Sequence, residues 1–280
     1  MSTARNMKHL TLVPIGGLAN RLFAITSAIS FCRANGYTLK IYWFKDWGMG
    51  ANFHDLFQKI DLPDVELIDA KWYHYIYDRP RKRNLWLPWI WQRFAFGNRI
   101  YEKESFRIRH RQELVDKLLR YDRNYLIEWY AFFKESNFGR YIRPLASIQS
   151  KVQKVQALFP EYTVGIHIRR SDHVDAIRNS PTQLFIDKMR AEILAHPAVK
   201  FFVASDSVEV KKELREEFKD RIISYEAEMT RGSKNGIIDA VVELTLLSKT
   251  ARIYGSFNST YSEFAAKLSD IDLIILQKGN

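Results

Sequence analysis

The chain has 280 residues, 46% of them hydrophobic and 27% charged, a balance typical of a folded globular protein and not of a disordered or fibrous one. Its 43 lysines and arginines against 32 acids give a net charge of +11, which favours an anionic partner such as a nucleotide, a nucleic acid or a membrane surface. The single cysteine, Cys32, excludes an internal disulfide framework and is predicted to pack in a core, because its neighbours follow an apolar helical pattern.

No stretch of the chain reads as a secretory signal or a membrane span. Asn20 and Arg21 interrupt the apolar residues near the N-terminus, and no run approaches the ~18 apolar residues that a transmembrane helix needs. These features predict a cytoplasmic protein. Peripheral contact with the inner face of a membrane is a further hypothesis, which rests on residues 79–99.

The first half of the chain begins with the pattern of a nucleotide-binding α/β unit. The predicted elements are a strand at 9–14, a glycine turn at 15–19, a helix at 20–35 and a strand at 38–44. Gly36 ends the helix, since glycine readily adopts the left-handed conformation that terminates helices. Residues 45–143 are rich in aromatics and too irregular for their helices to be placed.

Residues 79–111 form an unusually basic and aromatic insertion. They contain ten lysines and arginines but only two acids, interleaved with tryptophans and phenylalanines. Cations beside tryptophans suit anionic lipid headgroups at a membrane interface. The alternative is that the tryptophans pack in the core while the arginines face water.

Regular alternation of strands and helices follows Pro144. The predicted strands lie at 162–168, 200–204, 222–225, 252–255 and 273–276. The first helix of this half has an apolar face made by Leu145, Ile148, Val152, Val155 and Leu158. Ser180 before Pro181 predicts a capping box for one later helix, and Asp206 predicts a cap for the next. The alternation implies a mainly parallel sheet in a second domain, 144–280, after a first domain, 1–143.

Polar residues follow three of these strands at their carboxyl ends. They are Arg169 and Arg170, then Asp206, then the turn at 256–260. Because the carboxyl ends of parallel strands meet at one edge of a sheet, these groups are expected to form one site. Arginine forks and a helix N-terminus both suit a diphosphate. The alternatives are an ion-pair cluster of the arginines with Asp172 and Asp175, and simple helix capping by Asp206 and Thr260.

Four segments resemble the motifs of the fucosyltransferases that use GDP-fucose. They are Gly-Gly-Leu-Ala-Asn-Arg-Leu-Phe at 16–23, His-Ile-Arg-Arg-Ser-Asp at 167–172, Phe-Val-Ala-Ser-Asp at 202–206 and Ser-Phe-Asn-Ser at 256–259. The family includes α1,2-fucosyltransferases, core α1,6 and nodulation enzymes, and protein O-fucosyltransferases. The first segment is most similar to the bacterial α1,2 branch, with Ala19 in place of a glycine and Arg21 in place of a glutamine.

The resemblance implies an α/β fold of the GT-B-like type, in which two Rossmann-type domains face each other across a cleft. It implies an inverting glycosyltransferase that moves fucose from GDP-fucose to a glycan hydroxyl without a metal or other cofactor. The acceptor-side domain would be 1–143, and the nucleotide-sugar domain 144–280. A lipid-linked glycan is one candidate acceptor, and no nucleic-acid partner is expected.

The resemblance also implies a role for each motif residue. Arg169 and Arg170 would hold the diphosphate and neutralise its developing charge, while His167 and Asp206 would contact guanine. The turn residues Ser256, Ser259 and Thr260 would bind phosphate or ribose, and Asp172 and Asn258 would complete the donor site. From the first domain, Asn20 at the Gly16-Gly17 turn would contact the sugar or phosphate. Asp175 and His173 follow the arginines and are candidates for the base that an inverting transfer requires. The alternative for Asp175 and His173 is a solvated loop that pairs with Arg178.

Three other interpretations compete with a metal-independent fucosyltransferase. Asp270-Ile271-Asp272 has the Asp-x-Asp form of metal-dependent glycosyltransferases, although it precedes a strand at the end away from the expected site. The basic aromatic stretch could stack nucleic-acid bases above a phosphate track. A protein that binds a sugar nucleotide without catalysis would carry the same phosphate-binding residues.

Overall fold

The computed structural model describes residues 8–75, 89–108, 111–134, 138–170, 174–228 and 230–279. The chain divides into two compact units. The first unit comprises the chain up to Arg143 together with Arg231–Lys234, and the second comprises Pro144–Thr230 and the chain from Asn235 onward.

The described part of the first unit is built on a five-stranded sheet whose pairings are all parallel. Its strands are β1 (Lys8–Pro14), β2 (Tyr37–Trp43), β3 (Val65–Asp69), β4 (Asn98–Ile100) and β5 (Arg123–Glu128). Its helices are α1 (Leu18–Asn35), α2 (Trp72–Tyr75), α3 (Trp89–Ala95), α4 (Glu102–Arg107), α5 (Arg111–Leu119) and α6 (Phe138–Tyr141). The strand order is β3-β2-β1-β5-β4, which places β1 at the centre.

The amino-terminal elements agree with the sequence pattern. Leu10, Leu12 and Val13 of β1 are fully buried, as expected for a central parallel strand covered on both faces. Gly36 ends α1 with a φ of 68°, and its N–H donates to the carbonyl of Cys32. Cys32 itself is buried, as predicted. The irregular middle of the chain supplies β3, β4 and β5, which the sequence pattern did not place.

The second unit, within the residues that the structure describes, is likewise a five-stranded parallel sheet with helices. Its strands are β6 (Thr163–Ile168), β7 (Lys200–Ser205), β8 (Ile222–Ser224), β9 (Arg252–Ser256) and β10 (Asp272–Leu276). The helices of this half are α7 (Ala146–Gln156), α8 (Val174–Asn179), α9 (Thr182–Ala195), α10 (Val208–Phe218), α11 (Lys234–Leu247) and α12 (Thr260–Ser269). The strand order is β10-β9-β6-β7-β8, and Val164, Ile166 and Ile168 of β6 lie in its core.

Three local predictions in this half are wrong. Ser180 does not cap α9, because its hydroxyl donates to the carbonyl of Leu276 and accepts from the N–H of Phe257. Asp206 does not cap α10, since Ser207 is the N-cap and accepts from the N–H of Val210. Leu158 lies beyond the end of α7 and is exposed, so it does not belong to the buried face of that helix.

No helix among the described residues combines the length and the apolar character needed to cross a membrane.

Candidate active site

The predicted site lies at the point where the strand order of the second sheet reverses. From β6 the chain proceeds to β7 and β8 on one side, whereas β9 and β10 are added on the other side of β6. Adjacent strands whose connections leave in opposite directions open a crevice beyond their carboxyl ends, which is where ligands bind in open α/β sheets. The loops that follow β6, β7 and β9 carry the residues singled out in the sequence.

Arg169 and Arg170 are anchored to both neighbouring strands. The backbone N–H of Arg169 donates to the hydroxyl of Ser256 at 3.1 Å, and that of Arg170 donates to a carboxylate oxygen of Asp206 at 2.6 Å. These two bonds connect the end of β6 to the ends of β9 and β7. The structure therefore brings the three predicted segments together.

The guanidinium group of Arg170 is held by neutral oxygens. It donates to the carbonyl of Arg169 at 2.8 Å, to the carbonyl of Ser180 at 2.9 Å and to the hydroxyl of Thr182 at 3.0 Å. Burial lowers the pKa of Arg170, and the carboxylate of Asp206 opposes this effect. An arginine stays protonated despite such a shift, so the group keeps a positive charge at the crevice.

His167 is a neutral, buried imidazole beneath the arginines. Its ring packs against Tyr261 with centroids 4.9 Å apart, and its Nδ1 lies 3.4 Å from the hydroxyl of Ser259. Burial, reinforced by the positive charge of Arg169, lowers the pKa of His167 to about 4. At neutral pH the ring can therefore offer one N–H donor and one nitrogen acceptor but no charge.

The turn after β9 forms the other wall of the crevice. The hydroxyl of Ser256 donates to the carbonyl of His167 at 3.3 Å while it accepts from Arg169, so it links the two strands. Asn258 is exposed and has a φ of 57°, which lets the chain turn into α12. Ser259 is the N-cap of α12 without a side-chain cap bond, and Thr260 begins the helix. The first turn of α12 thus directs backbone N–H groups to this edge.

A close approach at Gly255 lets α12 pack beside the site. A Cβ atom at this position would lie 2.7 Å from the hydroxyl of Ser262, well inside a normal contact. A side chain here would have to displace that of Ser262, so this glycine permits the close packing of β9 against the first turn of α12.

The structure does not bring all of the predicted site residues to this edge. Asp175 lies on α8 with an exposed side chain, and the structure gives no contact between it and the arginines. Asp172 and His173 lie outside the described residues. The assignments of a catalytic base to Asp175 or His173 and of donor contact to Asp172 stay predictions.

Gly16, Gly17 and Asn20 lie in the first unit, at the turn between β1 and α1. Gly16 has a φ of 87°, a conformation that favours glycine, and Gly17 is the N-cap of α1. A Cβ atom on Gly17 would meet no atom within 4 Å, so the turn is open at this point. Their predicted roles toward a donor stay predictions.

Arg21 holds this glycine turn in place from a fully buried position. Its guanidinium donates to the carbonyls of Gly16 at 2.9 Å and Phe44 at 2.5 Å and pairs with the carboxylate of Asp46 at 2.9 Å. It also lies over the ring of Trp43. Arg21, which differs from the glutamine of the resembled motif, therefore stabilises the turn through its own set of partners.

The Asp270-x-Asp272 segment lies at the opposite edge of the second sheet. Asp270 ends α12 with a φ of 54°, and Asp272 begins β10 in register with Arg252 at the start of β9. The structure thus separates both carboxylates from the arginines. Across the described residues, no group of three or more histidine, cysteine, aspartate or glutamate side chains is arranged to hold a metal ion.

Other residues near the predicted site were not assigned to it from the sequence, and one of them, Ser180, was predicted to cap a helix instead. Ser180 and Thr182 hold Arg170, and Tyr261 packs on His167. Glu243 of α11 pairs with Lys211 of α10 at 2.7 Å, and burial raises the pKa of Glu243 to about 7 despite that partner. All of these depend on which helices cover the sheet, information that local sequence does not carry.

No protein-family model and no curated protein matches the sequence. Solved structures do match its fold. One is the NodZ α1,6-fucosyltransferase soaked with GDP-fucose, and NodZ is also known from Bradyrhizobium. Its sequence is 18% identical to this one, and the two structures superpose with a TM-score of 0.66 over 94% of this chain and 92% of the NodZ chain. POFUT1 in complex with GDP-fucose is 14% identical with a TM-score of 0.62, covering 98% and 99%. Arabidopsis thaliana FUT1, a variant in complex with GDP, is 14% identical with a TM-score of 0.60, covering 96% and 70%.

At these identities the likeness concerns the fold. The α/β class with two parallel five-stranded sheets and the GT-B-like type expected from the resemblance are confirmed. The predicted α1,2 branch is not among these neighbours, which are an α1,6-fucosyltransferase, POFUT1 and a plant FUT1.

Proposed function

We propose that the protein transfers fucose from GDP-fucose to a hydroxyl group of a glycan. One observation carries the proposal: Arg169, Arg170, Asp206 and the first turn of α12 converge at the switch point of the second sheet. That edge offers positive charge, N–H donors and one carboxylate, the set that a purine nucleoside diphosphate requires. The fold is shared with enzymes whose structures hold GDP-fucose or GDP.

In the proposed complex the arginines bind the diphosphate. As the bond between fucose and phosphate breaks, negative charge grows on the leaving GDP, and preorganised cations stabilise it. The first turn of α12, with Ser259 and Thr260, binds phosphate or ribose oxygens. Asp206 and the neutral ring of His167 recognise guanine, since a carboxylate accepts from the N–H groups of the base and a neutral imidazole avoids repulsion by the arginines.

We propose that the transfer is inverting and independent of a metal ion. The two arginines take the place that Mg²⁺ occupies at a leaving diphosphate in metal-dependent transferases. Inversion needs a base within hydrogen-bond reach of the acceptor hydroxyl. Asp175 and His173 are the proposed candidates, because both follow the arginines closely in the chain.

The acceptor and its location are proposed on sequence grounds. The glycine turn at 16–23 supports a position in the bacterial α1,2 branch. The basic stretch at 79–99 supports contact with an anionic membrane surface, where lipid-linked glycans would be the acceptors. Trp91 and Phe94 of α3, which are exposed, support this contact.

A thermal-shift panel of GDP, GDP-fucose, GDP-mannose, UDP-galactose and ADP-glucose tests donor choice. A ligand at 100 times its Kd adds about 2.7 kcal/mol to the free energy of unfolding, so GDP-fucose and GDP should raise the Tm most. Release of GDP in the presence of acceptor glycans, with and without EDTA, then tests transfer and metal independence. Stabilisation without any transfer would indicate a silent binding protein, and indifference to all guanine nucleotides would overturn the proposal.

A further inference from the structure

The first sheet has a switch point of its own, and aromatic side chains lie beside it. From β1 the chain proceeds to β2 and β3 on one side, whereas β5 and β4 lie on the other. Pro14 at the end of β1 is in register with Glu128 at the end of β5, and the N–H of Ile15 donates to the carbonyl of Glu128 at 2.9 Å. The glycine turn and the segment after β5 therefore flank the crevice where open α/β sheets bind ligands.

Three rings form a row that begins at the end of β5. Phe106 of α4 stacks on Trp129 with centroids 5.0 Å apart and planes only 14° from parallel. Trp129 lies 5.6 Å from Tyr130, which packs in turn on the buried ring of Phe23 in α1. Phe106 is the outermost ring and is 54% exposed. An aromatic side chain held flat on a tryptophan and left open to water is a preformed apolar face.

Glu128 holds this row in place from a fully buried position. Its carboxylate accepts from the N–H groups of Trp129 at 2.8 Å and Tyr130 at 3.1 Å, and from the hydroxyl of Ser105 at 2.6 Å. Burial raises the pKa of Glu128, and the positive charge of Arg111 opposes this effect. Since these donors converge on one carboxylate, the backbone that carries Trp129 and Tyr130 is held in place before any ligand arrives.

Arg111 adds polar groups next to the rings. Its guanidinium lies 5.9 Å from the ring of Trp129 and 5.8 Å from that of Tyr130, and it donates to Glu128 over a long 3.4 Å. An arginine has five N–H donors, so this one can still donate to hydroxyl groups that approach the rings. A flat apolar face beside fixed N–H donors is the arrangement that suits a sugar ring, which has one C–H face and a rim of hydroxyls.

The local charges favour a neutral ligand over an anionic one. The helix that carries Phe106 has two acids, Glu102 and Glu104, against two cations, Lys103 and Arg107. Arg111 is itself paired with Glu128. Among the described residues of α4 the charges therefore balance, without the excess of cations that binds lipid headgroups or phosphate.

We propose that Phe106, Trp129 and Arg111 form a subsite for a neutral pyranose, on which the C–H face of the sugar stacks. The role of this subsite in binding the acceptor glycan rests on the fucosyl transfer proposed above. Its ability to bind a sugar can be tested without the donor and without any transfer.

Saturation-transfer-difference NMR on the full chain without nucleotide tests the subsite, with lactose, cellobiose and N,N′-diacetylchitobiose as probes. We expect a signal from at least one disaccharide, strongest at the ring protons of its C–H face. Phe106→Ala should weaken binding about five- to tenfold, the size of one aromatic contact. Phe106→Leu keeps the apolar bulk but loses the flat face, and should weaken binding nearly as much.

Phe94→Ala is the matched control, since Phe94 is an 84% exposed phenylalanine of the same unit, on α3. It should bind the sugars as the unaltered chain does. No signal from any of the three disaccharides, equal loss in Phe94→Ala, or unchanged binding in Phe106→Ala would overturn the subsite. Sugar binding in a protein that never transfers fucose would leave the subsite standing and refute the proposed function instead.

Discussion

Arg170 is the proposed diphosphate-binding residue, and in the structure its contacts also give it a structural role. Its guanidinium is oriented by Ser180 and Thr182 while its backbone N–H is held by Asp206. A side chain that is already oriented loses little entropy when it binds phosphate oxygens. The same contacts mean that substitution affects the fold as well as the site.

We expect Arg170→Ala to lower transferase turnover at least about 100-fold, the size of loss seen when one preorganised donor is removed from charge developing in a transition state. Loss of three hydrogen bonds should also lower the free energy of unfolding by about 2–3 kcal/mol. Initial rates and urea denaturation measure the two effects. Arg178→Ala, at an exposed arginine of α8, is the control and should change neither. Near-normal turnover in folded Arg170→Ala would contradict the diphosphate role.

His167 makes stability depend on pH. Its folded-state pKa of about 4 lies below the ordinary 6.5, so between these values the unfolded state binds more protons and acidification favours unfolding. The contribution is complete above about pH 6.5 and is lost as the pH falls toward 4. Glu243 acts in the opposite direction, because its raised pKa of about 7 gives a contribution that is lost as the pH rises.

The His167 effect is isolated by comparison with His167→Gln. Between pH 7 and pH 5 the unaltered chain should lose about 2 kcal/mol more unfolding free energy than the variant. Urea denaturation at the two pH values measures both. Equal pH dependence of the two proteins would show that His167 titrates normally in the folded state.

At the scale of elements, each sheet has a turn at one edge that is held by a side chain from elsewhere in the chain. In the first unit Arg21 of α1 reaches the loop after β2 through Phe44 and Asp46. In the second unit Ser180 connects the ends of β10 and β9 through Leu276 and Phe257. Turns at a sheet edge lack ladder bonds of their own, and these side chains supply fixed partners.

Arg21→Gln should lower the free energy of unfolding by about 3 kcal/mol, because one partner of a buried ion pair is lost and the carboxylate of Asp46 remains buried. Arg33→Gln on the same helix is the control, since Arg33 is exposed, and it should cost less than about 1 kcal/mol. Urea denaturation compares the two variants. A loss for Arg21→Gln no larger than for Arg33→Gln would mean that these contacts of Arg21 contribute little.

At the scale of the whole molecule, charge and exposed aromatic surface are unevenly distributed. Trp47, Trp72, Tyr73, Trp91 and Phe94 are exposed in the first unit, whereas the large apolar residues exposed in the described part of the second unit are aliphatic. The basic stretch at 79–88, which lies outside the described residues, adjoins α3. This combination motivates the proposed membrane contact.

The chain should sediment with anionic vesicles containing phosphatidylserine and not with neutral phosphatidylcholine vesicles. Neutralising Arg81, Lys82 and Arg83 together should weaken anionic binding by roughly 100-fold, at about 1 kcal/mol for each cation. Neutralising the exposed lysines Lys154, Lys212 and Lys249 of the second unit is the control and should have little effect. Indifference to both lipids, or equal sensitivity to the two triple variants, would reject the contact.

The α/β class could be predicted from the sequence alone, as could most strands of the second half and the initial strand-helix-strand unit of the first half. The sequence also indicated the sheet edge at which Arg169, Asp206 and Ser259 would meet. Periodicity, glycine stops and parallel-sheet geometry are local or generic rules, so a single sequence carries them. The tertiary structure decided the strands of the middle segment, whose pattern was obscured by short elements and aromatics. It also decided that Ser180 and Asp206 bind across the sheet instead of capping helices. A polar side chain satisfies whichever partner lies closest, and for these residues that partner comes from a distant part of the chain.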